Sequence, residues 1–364
     1  MHNSGYEVVF LDVVDPLIES LQKAPSYTVT EIGDDGQKEF TIKNYRAINS
    51  KSSEPEAIKE IETADVVTCA VGPNILKFIA PVIAKGLNGR KKDTPAAVIA
   101  CENMVGGTDA LKGFIEGHLD DATKGKLDSV ARFANSAIDR IVPTQPKDAG
   151  LNVLIEKFFE WCVESKPFDG MGNPPIKGVH FVEDLKPYIE RKLFTVNTSH
   201  ATAAYYGTYK GIPTIDKSVN DPEIHEKVRA ALKDTANLIV KAHGVDAKEQ
   251  NDYVEAIIKR ISNPALEDVV ERVGRAPLRK LGRKERFINP ASQLEGIGES
   301  YSGLLGPIEM AFRFQNIKGD DESAELAKIM KENSPEEVVK KVCGLESGKL
   351  YDDVVAIVKK VQSS

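Results

Sequence analysis

Three short runs constrain the fold of this chain more than anything else in it: EVVFLD (Glu7–Asp12), DVVTCAV (Asp65–Val71) and PAAVIAC (Pro95–Cys101). Each is apolar at nearly every position. A strand that buries one face alternates apolar and polar residues, whereas one apolar throughout has to be covered on both faces. Segments with helical character lie between them, at Pro16–Lys23, Pro55–Thr63 and Asn74–Lys85. This alternation predicts an α/β fold with a parallel sheet between two layers of helices. Tyr27–Ile32 and Lys38–Tyr45 flank GDDGQ, a turn signal, and predict a hairpin. Ligands of parallel sheets gather outside the carboxyl ends of the strands. Asp12, Gly72 and Asn103 stand at such ends.

The chain has 364 residues, long for one hydrophobic core, so two domains are expected. A Gly/Pro-rich break, FDGMGNPPIK (Phe168–Lys177), marks the boundary and divides the chain into residues 1–175 and 176–364. From Glu183 onward the pattern is mostly helical, beginning with Pro187–Tyr206. Net charge is −7, so no broad basic surface is available for nucleic acid or an anionic membrane. Cys69, Cys101, Cys162 and Cys343 form no C-x-x-C pair and read as thiols in a reducing compartment. No HExxH pattern points to zinc. No apolar run reaches the roughly 18 residues of a membrane span. The amino terminus lacks the layout of a secretory signal, which makes the cytoplasm the expected location.

Within the helical part, Tyr188–Gly207 carries Lys192, Asn197 and His200 in the spacing K-x4-N-x2-H. On an α-helix at about 100° per residue, Asn197 lies about 140° and His200 about 80° round from Lys192. An amine, an amide and an imidazole fanned over one wall suit work on a hydroxyl or carbonyl. The amine moves a proton once burial lowers its pKa. The amide donates to a developing alkoxide. A solvated lysine, a capping asparagine and a core histidine would give the same pattern. Further on, RVGRAPLRKLGRKER (Arg272–Arg286) holds seven Arg or Lys in fifteen residues. It reads as a solvated loop or as an anion pocket, where Arg forks meet phosphate oxygens.

ERKLFTVNTSHATAAYYG resembles the catalytic helix of the polyol-specific long-chain dehydrogenases. TCAVGPNIL, ACENMVGGTDAL, FANSAIDRIVP and NPALEDVVERVGRAPLRKLGRKERFINPA are also similar to that family, in the same order along essentially the whole chain. The resemblance is strongest to the branch acting on mannitol 1-phosphate. It implies a Rossmann-type nucleotide domain followed by a mostly helical substrate domain. It also implies metal-independent, reversible hydride transfer between a polyol phosphate and NAD. Lys192 then matches the general acid/base, and Asn197 and Asn103 the amides that hold the reacting oxygen. His200 matches the substrate-orienting imidazole, and Asp139 the acid of the DRI-P block. Asp12, Val71 and Gly72 fall to the cofactor, with Asp12 on a ribose. Arg275, Arg279 and Lys280 fall to the substrate phosphate. A small-molecule partner and a monomer are expected.

Two alternatives stay open within the family, a mannitol 2-dehydrogenase and a hexuronate reductase. The chain starts at MHNSGYEVVF, where the family has already passed a strand and a Gly-rich turn. The expectation is therefore an amino-terminally short chain, with impaired NAD binding as the corresponding alternative.

Overall fold

The computed structural model describes residues 1–33 and 36–364. The chain divides into two compact units, Met1–Ile189 and Glu190–Ser364.

In the first unit the apolar runs become β1 (Val8–Asp12), β5 (Val66–Cys69) and β6 (Ala96–Ala100). β1 pairs in parallel with β4 (Tyr45–Asn49), and β5, β6 and β7 (Ala131–Phe133) form a second parallel sheet. β6 is buried at all five positions, as expected for a strand covered on both faces. The helices between them are α1 (Asp15–Lys23), α2 (Glu54–Thr63), α3 (Leu76–Gly89) and α4 (Gly107–Glu116). α3 turns Leu76, Ala80, Ile83 and Leu87 inward at helical spacing, and α4 adds Leu111 and Ile115. Each large apolar side chain buried this way contributes about 1.5–3 kcal/mol. A Cβ on Gly86 of α3 would overlap the Ile61 side chain of α2, so this glycine sets how closely the two helices approach.

The hairpin expected around GDDGQ is present, as β2 (Tyr27–Gly33) paired antiparallel with β3 (Gly36–Ile42). Asp34 and Asp35 of that turn lie outside the described residues. The second strand was expected to run on to Tyr45, but it ends at Ile42. Asn44 takes a left-handed φ of 56°, the chain turns, and Tyr45 opens β4 beside β1. β9 (Val153–Glu156) joins the hairpin sheet through β2. A further sheet has β8 (Ser136–Asp139) antiparallel to β10 (Glu160–Glu164), with β11 (Val179–Val182) parallel to β10 on its other side.

The second unit is helical. Its elements include α5 (Thr198–Lys210), α6 (Pro222–His243), α7 (Ala247–Ile261), α8 (Val270–Gly274), α9 (Pro277–Lys280) and α10 (Ser302–Arg313). The side chain of Asp221 caps α6 and that of Asp246 caps α7, each accepting a backbone N–H of the first turn. Among the described residues, no helix is long and apolar enough to cross a membrane. No group of three or more His, Cys, Asp or Glu there could hold a metal ion.

Candidate active site

Lys192–Asn197 is not the α-helix that the spacing predicted. It is a π-helical turn between a short α-helix (Lys186–Arg191) and α5. A π-turn bonds residue i to i+5. Lys192 and Asn197 are five apart, so they stack one turn above the other instead of standing about 140° apart. Burial tells the same story. Phe194, Thr195 and Val196 are buried, as are Thr198 and Ser199, while Lys192, Asn197 and His200 all lie on a partly exposed edge. Single π-turns inside α-helices are frequent at functional sites.

Side chains from elsewhere in the second unit hold this turn. The Thr198 hydroxyl lies 2.9 Å from the carbonyl oxygen of Arg286 and 3.2 Å from that of Leu193, and donates to them. The Arg286 guanidinium is buried, donates to the Asn197 carbonyl at 3.4 Å and pairs with Glu285 at 3.0 Å. Gln250 of α7 donates to the Thr195 hydroxyl at 3.2 Å. His200 Nε2 lies 3.5 Å from Oδ2 of Asp268, and its side chain keeps 17% of its surface. Burial pulls the imidazole pKa down to about 4. Asp268 opposes this, while Arg260, Arg272 and Lys280 repel the added charge. His200 is therefore neutral near pH 7.

The basic segment is largely spent within the unit. Arg272 pairs with Asp268, and Arg279 with Glu285 at 3.0 Å. Lys280 is 5% exposed and its ammonium donates to the Val273 carbonyl. Burial draws it well below the usual lysine range, with repulsion from Arg286 and Arg279 adding to the effect. Lys280 therefore faces inward, unlike Arg275 and Arg279. Arg275 is exposed and lends its Nε to the Arg272 carbonyl at 3.2 Å. Arg279 keeps 45% of its side-chain surface.

In the first unit, Asp12 closes β1, and its Oδ1 accepts the N–H groups of Val13 (2.6 Å) and Val14 (3.0 Å). Asn103 follows β6 and is exposed, and Asp139 ends β8 and is buried. The sequence reading passed over Glu102. Its buried carboxylate accepts the N–H of Val71 at 2.8 Å and of Gly72 at 2.9 Å, which pins the loop after β5. Gly72 has φ +94°, where a side chain is strained, and open space beyond it. Exposed valines follow three strand ends: Val13 and Val14 after β1, Val71 after β5 and Val105 after β6. A strand-end acid that can accept from ribose hydroxyls, a bare backbone and apolar side chains at carboxyl ends fit the adenosine half of a dinucleotide.

A family model described as the mannitol dehydrogenase Rossmann domain matches residues 1–178, and one described as the mannitol dehydrogenase C-terminal domain matches residues 184–362. The chain is 67% identical to a mannitol-1-phosphate 5-dehydrogenase of Pyrenophora tritici-repentis, over 100% of this chain and 94% of that one. It is 64% identical to the protein of that name from Alternaria alternata, over 100% and 93%. Among solved structures, the Pseudomonas fluorescens mannitol 2-dehydrogenase in ternary complex with NAD and D-mannitol matches with a TM-score of 0.79 at 18% identity, over 99% of this chain and 85% of that one. A substrate-free D-sorbitol dehydrogenase matches with a TM-score of 0.76 at 18% identity, over 98% and 87%. The Rossmann-type first unit, the helical second unit and the K-x4-N-x2-H edge all point the same way: the chain belongs to the mannitol dehydrogenase family.

Proposed function

We propose that this chain is an NAD-dependent mannitol-1-phosphate 5-dehydrogenase, interconverting D-mannitol 1-phosphate and D-fructose 6-phosphate. The observation that carries the reading is identity of 60–67% along the full chain to relatives of that name. The partly exposed edge of Lys192, Asn197 and His200 supports it. In the oxidative direction Lys192 takes the proton of the reacting hydroxyl. Asn197 donates its amide hydrogen to the oxygen as charge develops there. Asn103 is assigned the second amide, and Asp139 a supporting acid. His200, neutral, orients the substrate. The chemistry that NAD supplies when bound is acceptance of a hydride from the carbinol carbon. Asp12 is assigned to a ribose, with Val71 and Gly72 lining the cofactor site. Arg275 and Arg279 are assigned to the phosphate.

Residues 1–175 serve the nucleotide and residues 176–364 the polyol in this reading. A monomer in the cytoplasm completes it, and light scattering returning the mass of one chain is the expected result.

The decisive assay is Lys192→Ala. Removing a general base typically costs about 10²–10⁴ in rate. Turnover of mannitol 1-phosphate should fall by that factor with the circular dichroism spectrum unchanged. Near-wild-type turnover would remove the assignment.

A further inference from the structure

Asp268 has no part in the chemistry assigned so far, yet it is 4% exposed. Its Oδ1 is occupied by Arg272, whose Nε sits at 2.8 Å and whose Nη2 also donates. Its Oδ2 is buried and accepts no hydrogen bond among the described residues. The nearby donor candidate is His200 Nε2, at 3.5 Å. That is longer than a formed bond, and such contacts often close only when substrate is present.

The backbone on either side of Asp268 is anchored. Its carbonyl accepts from Ile215 N–H at 2.8 Å, and Val270 N–H donates to the Pro213 carbonyl at 3.1 Å. Thr214 and Val269 make an antiparallel bridge. The carboxylate is thus delivered to His200 by a paired segment and fixed from behind by Arg272. An orphaned buried acceptor beside an imidazole nitrogen has a chemical consequence. An ionised carboxylate only accepts, and a neutral imidazole has one N–H and one lone pair. Which nitrogen carries the proton is set by what the other parts of the ring face. The guanidinium neighbours of the ring, Arg260 and Arg272, offer no competing acceptor in their side chains.

We propose that Asp268 is a positioning residue that holds His200 as the Nε2–H tautomer, leaving Nδ1 as an acceptor for a hydroxyl hydrogen of the polyol. The inference rests on the assignment of His200 to the substrate. It also deepens that assignment, because the site then requires a hydroxyl donor at that position and rejects a substrate with a methyl ether or a deoxy carbon there. Arg272 acts through Asp268, holding Oδ1 so that Oδ2 stays turned to the ring.

The tautomer is read on the unsubstituted protein, with one variant used for assignment. The intact protein is labelled with ¹⁵N-histidine, and the His200 ring is assigned among the six histidines by its loss in His200→Gln. Near pH 7 the wild type should show a protonated Nε2 and a bare Nδ1. Asp268→Asn should invert this. Arg272 carries only donors and claims the amide oxygen, which leaves the NH₂ facing Nε2 and drives the proton to Nδ1. KM for the polyol phosphate should then rise about 5–150-fold, the range for leaving one buried polar group mismatched. The acid-side limb of the kcat profile for polyol oxidation, where Lys192 must be deprotonated to act as the base, should stay where it was. A wild-type ring protonated on Nδ1 overturns the proposal, as does an Asp268→Asn protein with unchanged tautomer and unchanged KM. The two levels separate cleanly. An active Lys192→Ala enzyme with an Nε2–H His200 sinks the active-site reading alone, and an inactive one with an Nδ1–H His200 sinks the tautomer alone.

Discussion

His200 shows how a single side chain records its surroundings. Burial holds its pKa at about 4, against about 6.5 for a free histidine. Between those values the unfolded chain binds more protons than the folded one, so stability rises with pH through the window. The stabilisation is fully present above about pH 6.5 and is lost as pH falls toward 4. The loss at pH 4 amounts to about 3 kcal/mol. Urea midpoints measured from pH 4 to 7 should therefore fall more steeply in the wild type than in His200→Gln. Equal slopes would show that the ring is not held neutral. The sequence could name His200, because its place in K-x4-N-x2-H is visible. It could not name Asp268. An acid four residues before an arginine reads as a surface pair, and only the paired backbone around it turns its second oxygen toward the imidazole.

The π-turn is the element on which the second unit's chemistry depends. Thr198 is its clasp, because the hydroxyl meets the carbonyls of Arg286 and Leu193 at once. Thr198→Val keeps the shape and removes the donor. Leaving buried carbonyls unsatisfied should cost about 1–3 kcal/mol in stability. A shift of Asn197 by about 1 Å would cut kcat by up to about 10²-fold. A stability loss with unchanged kcat would show that the turn holds without its clasp. This helix was legible in outline, since Pro187–Tyr206 holds no glycine or interior proline; the structure carries it from Lys186 to Lys210. Its register was not. The i+5 turn is held by Thr198 beside it and by Arg286 and Gln250 from distant positions. The strands of the first unit divide in the same way. β1, β5 and β6 were readable because they are apolar at nearly every position. β4 was not read: the expected strand ran through the left-handed turn at Asn44 and stopped at Tyr45, the first residue of β4.

Taken across the whole chain, a net charge of −7 and a dense basic segment invite the expectation of an open anion pocket. The fold narrows that expectation. Arg272 and Arg286 are paired with acids, and Lys280 is turned inside. Arg275 is exposed, and Arg279 is partly exposed although it pairs with Glu285. These two carry the phosphate assignment, and the distinction is testable. Arg275→Ala should lose about 1.5–3 kcal/mol in kcat/KM for mannitol 1-phosphate, the worth of one charged contact, and change nothing for free mannitol. Lys280→Met should do the reverse. It removes the buried donor to Val273 and should lower the thermal midpoint, while the ratio of the two substrates stays fixed. If Arg275→Ala weakens mannitol and its phosphate equally, the arginine supports the fold and the phosphate is held elsewhere. If the wild type turns over free mannitol as well as its phosphate, the activity is that of a mannitol 2-dehydrogenase, and the basic segment is a structural ion-pair network.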